Sequence, residues 1–470
     1  MIKKLVCNLN YSLIEVMKVI NENAMNISFV VDEDLIMHGV VTDGDIRRAL
    51  LNDTGLQEPV RKILSPSFSY GYTTDSHEKL LSKVNEAIRV IPIVDEDFHL
   101  VDFFECKRGS QFPVAIPNLS GNEFKYLTDA FMSSWISSSG EYIARFEGKF
   151  SGYSDCEFGV AVSNGTAAIH LALLALDIGE DDEVIVPDLT FAASINAVLH
   201  ANATPVIVDV EEESWCIDPI KIAEAITPKT KAIIPVHLYG QACDMESIIT
   251  LANQYDLKVI EDCAEAHGAM YQGKKVGSFG EIGCFSFFGN KVITTGEGGM
   301  CVTNDVVLDQ KMRVLRDHGM SKTKRYWHEV VGYNYRMTNL QAAIGLAQLE
   351  RIDDIHNNRN LYEQAYRSVL DSKSFTFQND INGRTKITWL VSVLLKDNIS
   401  RNAFISILKD RGIDARPFFY PLSAMDIYKK YCKFETPVAH KISKIGLNLP
   451  TYESLKDVNE IRGIMVDVQK

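Results

Sequence analysis

The chain has 470 residues, of which 46% are hydrophobic and 23% charged, with a net charge of −14 at neutral pH. That composition excludes a disordered, collagen-like or small disulfide-framework protein, and the length implies several domain-sized units with at least one large core. So acidic a chain repels phosphate at long range, which argues against a general nucleic-acid or anionic-membrane binder and leaves only a local phosphate site open.

The first hundred residues read as two copies of one short unit. A helix over Ser12–Asn23 precedes a strand Ile27–Val31, a turn at Asp32–Asp34, a strand Met37–Val41 and a helix Asp45–Leu51. At a spacing of about fifty residues the order recurs as helix Lys79–Ile88, strand Val90–Val94, turn Asp95–Asp97 and strand His99–Phe104. A single α/β domain without duplication is the plainer alternative. Gln111–Ser120 holds two prolines and no periodicity, and marks a boundary. Beyond it, short β-branched or aromatic runs at Asp182–Pro187, Pro205–Val210, Lys231–Val236, Leu257–Asp262, Cys284–Phe288 and Met300–Thr303 alternate with helical stretches. That alternation predicts an α/β fold with a largely parallel sheet covered on both faces. One long helix is expected from Thr338 to Asp354. A smaller α+β region follows, with a strand Ile387–Leu395, a helix Arg401–Arg411, and a turn at Asn448–Pro450 before a closing helix. The divisions are thus 1–110, 117–354 and 355–470.

The nine cysteines form neither a Cys-x-x-Cys pair nor a Cys/His cluster with zinc spacing, so no metal centre is expected. Met1–Asn10 lacks the apolar core of a signal peptide, and the apolar run Ala161–Leu176 is broken by Ser163, Asn164, Thr166 and His170. No membrane span is expected, and a cytoplasmic location follows as the simplest reading.

Three segments carry chemistry. In Gly283–Gly299 a lysine, Lys291, follows an aromatic strand and precedes a glycine-rich turn. Partial desolvation there disfavours the ammonium form and frees the amine as a nucleophile, although a solvated turn lysine has the same local sequence. Asp262 ends the strand Val259–Asp262 some thirty residues upstream. Parallel sheets gather their functional groups at the carboxyl ends of strands, so Asp262 and Lys291 are expected to share one crevice. An amine and a carboxylate converging on one ligand suit pyridoxal phosphate, whose ring needs both a lysine and an acid at its pyridine nitrogen. A strand-end salt bridge or a helix cap would also account for Asp262. Val162–Ala168 is a small-residue turn opening the helix Ile169–Leu176, which presents backbone N–H groups to a phosphate. Capping alone explains that pattern equally well. Ser286 adds a hydroxyl nearby.

Five motifs occur in order: Asn164–Ala168, Glu261–Gly268, Ser286 to Lys291, Gly296–Gly299 and Gly332–Met337. Together they resemble the DegT/DnrJ/EryC1/StrS family of pyridoxal-phosphate sugar aminotransferases over about residues 117–470. Ser286–Gly299, Lys324–Glu350 and Gly412–Pro421 look closest to the perosamine-forming members. The resemblance implies an aspartate-aminotransferase-like fold (fold type I) and a homodimer with shared active sites. It implies that Lys291 is the Schiff-base lysine and general base and that Asp262 pairs with the pyridine nitrogen. Phe191 takes the place of the aromatic residue stacked on the ring, and Glu265 that of a Gln or Glu beside it. Thr166, Ala167 and Ser286 match phosphate contacts, and Asn334 matches one supplied by the partner subunit. His267 lies on a different motif and reads as structural or as a support behind the residues of the site. The implied reaction moves an amino group from L-glutamate to the 4-keto carbon of a nucleotide-linked 4-keto-6-deoxyhexose, the base being guanine or, as the runner-up, that of a UDP- or dTDP-sugar.

The amino-terminal pair resembles a CBS module, with Gly39–Leu50 fitting its G-x-x-T-x-x-D pattern. Thr42 and Asp45 are then candidate contacts for a regulatory nucleotide. The second copy lacks that Thr–Asp pair, so one site at most is expected, or none if the module serves only assembly. A silent aminotransferase-like scaffold controlled by the module is the alternative from a different class.

Overall fold

The five residues Ile27–Val31, all buried, form the middle strand of a three-stranded sheet, parallel to Val6–Asn8 and antiparallel to Met37–Thr42. Val90–Val94 occupies the same place between Gly71–Tyr72 and Leu100–Glu105. The computed structural model describes residues 2–468 except 24, 66, 76, 85–87, 89, 106–111, 372, 397–399 and 454. It contains the duplication, at an offset of 63 residues rather than about fifty, carrying Val30 to Ile93 and Leu35 to Phe98. The shortfall comes from the segment between the copies, where Val60–Lys62 is a single helical turn that no periodicity announces. Both hairpins slip register at equivalent residues, and Leu35 and Phe98 share left-handed backbones (φ 66° and 68°). The hairpins meet tip to tip: Met37 N donates to Phe98 O at 3.0 Å and Leu100 N to Leu35 O at 2.9 Å. The helix expected over Lys79–Ile88 is seen at His77–Ser82; residues 85–87 of that expectation lie outside the described residues.

Residues Ser110–Lys470 form a second compact unit, separate from Met1–Gly109. Its seven-stranded sheet runs in the order Phe158–Val162, Gly299–Thr303, Ile282–Ser286, Lys258–Asp262, Thr230–Ile233, Glu183–Pro187, Thr204–Val208. Six strands are parallel, and Gly299–Thr303 runs against both of its neighbours. Side chains alternate between two apolar layers. Ile185, Val259 and Phe285 point to one, and Val184, Ile260 and Cys284 to the other. Burial on both faces is why these strands read as continuous apolar runs. Phe158–Val162 was not separable from the following helix by hydrophobicity alone.

Two expectations need correction in the carboxyl-terminal part. The long helix from Thr338 is two helices, Asn339–Leu349 and Ile352–Arg367. The break falls at Arg351 (φ −117°), whose guanidinium lies within 4 Å of Glu123 and Glu453. Asn448–Pro450 is no simple turn, because Gly446–Leu449 is a buried strand pairing with Val391–Leu395 and Arg416–Pro417. Asn448 tolerates that place because its Oδ1 accepts from Ser392 Oγ at 2.8 Å.

The proline-bearing stretch after residue 111 is docked rather than free. Phe112 bridges Ile413, Thr451 N donates to Val114 O at 2.8 Å, and both apolar side chains are buried. Deleting residues 1–110 is therefore expected to leave the remainder folded. Deleting 1–116 should cost about 3–5 kcal/mol of its stability, the burial of one Phe and one Val. Urea melts of the two truncations check this; equal midpoints would show that the strand end contributes nothing.

Candidate active site

Strand ends create the site. Phe158–Val162 delivers Asn164, whose side chain accepts from Ala167 N at 2.8 Å and starts the helix Gly165–Ala175. Lys258–Asp262 ends at Asp262, and Ile282–Ser286 ends at Ser286. All three lie at carboxyl ends of parallel strands, so they open into one crevice. A cavity of about 800 Å³ is lined there by Thr166, Ala167, Asp262, Glu265, Ser286 and Lys291, together with the half-exposed ring of Phe191. Seven of the eight residues expected at the cofactor are brought together. Asn334 is not; it lies on the surface, its Oδ1 accepting from Arg336 Nε at 3.0 Å.

Lys291 sits in the loop joining Ile282–Ser286 to Gly299–Thr303, pinned by its N–H to Phe288 O at 2.9 Å. Burial depresses the pKa of its amine, while Glu265 and Asp262 pull the other way. Glu265 Oε1 is 3.7 Å from Nζ, and its other oxygen accepts from Tyr239 N at 2.9 Å. Burial pushes the Glu265 carboxyl up to about 7 against the pull of Lys291. Asp262 Oδ2 accepts from Ser194 Oγ at 2.7 Å and Oδ1 from Ala264 N at 3.1 Å, which fixes the carboxylate's plane.

These residues fit pyridoxal phosphate. A Cβ on Gly165 would come within 2.7 Å of Ser286 Cβ, so the helix start and the serine form a cradle that admits no side chain between them. The cradle offers N–H groups and a hydroxyl at the positive end of a helix, the donor set a phosphate needs. The desolvated amine and the oriented carboxylate stand across the same cavity.

A model of the DegT/DnrJ/EryC1/StrS aminotransferase family matches residues 117–468. The chain belongs to that family. It is 47% identical over 346 residues to the GDP-perosamine synthase of Escherichia coli O157:H7, covering 73% of this chain and 94% of the relative. To the UDP-N-acetyl-3-dehydro-alpha-D-glucosamine 3-aminotransferase of Acidithiobacillus ferrooxidans it is 40% identical over 314 residues, 66% of this chain and 84% of that one. Among solved structures, S. venezuelae DesV in complex with a ketimine intermediate superposes with a TM-score of 0.70 at 31% identity, covering 74% of this chain and 95% of DesV. Like its DegT relatives, the protein is a pyridoxal-phosphate-dependent sugar aminotransferase. A CBS domain model matches residues 1–52, the first of the two repeats.

Sequence reasoning missed Ser194, Tyr239 and Trp389, which come from elsewhere in the chain and reach the site only through the sheet order. His267 is wholly buried beside Phe285 and Phe287, its ring 5.4 and 5.6 Å from theirs. Burial lowers its pKa to about 3, which keeps it neutral and outside proton transfer near pH 7. An unfolded chain protonates this imidazole near pH 6.5 and the folded one near 3, so acid favours unfolding between those values. The stability difference between wild type and His267→Asn should therefore shrink as pH falls from 6.5, by up to about 1.4 kcal/mol per unit. Urea melts at pH 7, 6 and 5 measure it; a pH-independent difference would place the proton elsewhere.

His237, Glu261 and Cys263 bring possible ligand atoms within 4.8 Å of one another. Glu261 already accepts from Gly277, Phe279 and Gly280 N–H groups and pairs with His237 Nε2 at 3.1 Å. With its lone pairs so engaged, the cluster acts as a brace beneath the strand ends rather than a metal centre. In the amino-terminal unit, Thr42 and Asp45 face a cavity of about 670 Å³ shared with Ser65, Ser67 and Phe68. They also form a reciprocal helix cap: Asp45 accepts from Thr42 N and Oγ1 at 2.9 and 2.6 Å and pairs with Arg48 at 2.6 Å.

Proposed function

We propose that the enzyme transfers the amino group of L-glutamate to the 4-keto carbon of a GDP-linked 4-keto-6-deoxyhexose. The observation that carries this reading is 47% identity to a GDP-perosamine synthase across 94% of that protein. The 40% identity to an aminotransferase acting on a UDP-sugar supports the second reading, a UDP- or dTDP-linked substrate. Incubating the enzyme with glutamate and matched GDP-, UDP- and dTDP-ketosugars, and following 2-oxoglutarate release, decides between them. A kcat/KM highest for a UDP- or dTDP-sugar would overturn the first.

When bound, pyridoxal phosphate supplies an electron sink for charge developing at the carbon that bears the amino group. Thr166, Ala167 and Ser286 would hold its phosphate, Phe191 would lie against its ring, and Asp262 would keep a proton at the ring nitrogen. Ser194 and the Ala264 N–H hold the Asp262 carboxyl oriented for that task. Lys291 would hold the cofactor through its side-chain amine, and the same amine would move the proton. Burial favours the neutral amine that accepts a proton, and the carboxylate of Glu265 steadies the ammonium formed when it does.

The same reading makes the protein a homodimer, in which the surface Asn334 reaches the phosphate site of the partner subunit. It also assigns Thr42 and Asp45 to a regulatory nucleotide. Asp45→Ala should abolish any nucleotide response of the activity and cost about 1 kcal/mol of stability through the lost cap. Calorimetric titration with adenine and guanine nucleotides tests the premise. Binding by none of them would leave this unit an assembly element.

A further inference from the structure

Tyr239 is wholly buried yet held in the left-handed region, at φ 53° and ψ 25°. A non-glycine residue rests there only when its surroundings over-determine it, and such residues gather at functional sites. The Tyr239 ring packs on Phe418 and Phe419, at 4.5 and 5.5 Å, and three further contacts aim it at the site. Its N–H donates to Glu265 Oε2 at 2.9 Å, its hydroxyl accepts from Phe419 N at 3.2 Å, and its ring stacks on Trp389 at 6.0 Å and 16°. Trp389 in turn donates its indole N–H to Asn290 O at 2.8 Å, the carbonyl immediately before Lys291. The indole face then lies 4.1 Å from Lys291 Nζ, while Glu265 Oε1 stands 3.7 Å away. Neither distance is that of a hydrogen bond. The amine is walled in without being tied down.

We infer that Trp389 and Tyr239 are positioning residues for Lys291: the indole locks the backbone beside the lysine and walls its amine, and the strained tyrosine holds the indole and Glu265 in register. The inference rests on the reading of Lys291 as the residue that bonds the cofactor. One side chain thereby sets both the anchor and the direction of the nucleophile, leaving the phosphate cradle to bind independently.

The test separates capture from binding in the full-length chain freed of cofactor. Pyridoxal phosphate bonds the lysine; pyridoxamine phosphate uses the same cradle and forms no such bond. Trp389→Leu is expected to slow the appearance of the visible band on mixing with pyridoxal phosphate by about ten-fold or more, and Trp389→Phe by about three-fold, because orientation alone is worth orders of magnitude in rate. Affinity for pyridoxamine phosphate by calorimetry should stay within about two-fold of wild type, since the cradle is untouched. Capture as fast as wild type in both variants overturns the inference. So does a parallel fall in capture, pyridoxamine phosphate affinity and melting temperature, the mark of a general packing role. Trp389→Phe fills most of the same space and decides the matter alone should the leucine variant fail to fold. A Lys291→Ala control that still captured pyridoxal phosphate would instead refute the lysine reading.

Discussion

Lys291→Ala is expected to lower turnover by roughly a thousand-fold or more while the protein still retains pyridoxamine phosphate. Among the described residues that line the cavity, Lys291 is the one that carries a primary amine, and in the proposed reaction it is also the proton carrier. Glu265 is raised to about 7 but accepts from Tyr239 N, so one of its oxygens is committed. His267 is held neutral by burial. Retention follows because the contacts of the Gly165 helix start and Ser286 do not involve the lysine. Single-turnover assays and equilibrium dialysis with pyridoxamine phosphate measure the two halves. Turnover above a small fraction of the wild-type rate would remove Lys291 from its role.

Asp262→Asn should lose about a hundred- to a thousand-fold in kcat, the loss typical of removing one preorganised electrostatic group. The carboxylate is buried and already receives two donors, Ser194 Oγ and Ala264 N. An amide at that position carries no charge to keep the pyridine nitrogen protonated, and its NH₂ group opposes one of those donors. Cofactor content should stay near wild type, because the phosphate cradle is separate. A kcat within a few-fold of wild type would move the ring-nitrogen partner elsewhere.

The parts of the site legible from sequence are those whose function is written into a local turn. Asn164–Ala168 declares a helix start, and Asp262, Ser286 and Lys291 follow strand-like runs by zero to a few residues. Ser194, Tyr239 and Trp389 sit on three other segments and acquire meaning only from the order of the strands. The same limit shaped the fold. Gly446–Leu449 hid because Asn448 and the adjoining Pro450 suggest a turn, whereas Ser392 satisfies the asparagine across the ladder. The break at Arg351 hid because nothing in the helical periodicity reports that its side chain lies near Glu123 and Glu453. The repeat was visible in its hairpins and misjudged in spacing, because the segment joining the copies has no period to count.

The reversed strand Gly299–Thr303 gives the lysine loop a character that a parallel crossover would not have. Residues 287–298 form the connection of an antiparallel pair, closed at its base where Ser286 faces Gly299 in the interior of the sheet. The two ends of that loop part only if the sheet itself unzips. Amide exchange is thus expected to be slowest at the buried strand pairs that close the loop and faster at its exposed positions Phe288, Gly296 and Glu297. In the proposed reaction the lysine's hydrocarbon stem would then move from a loop whose two ends are held together by the sheet.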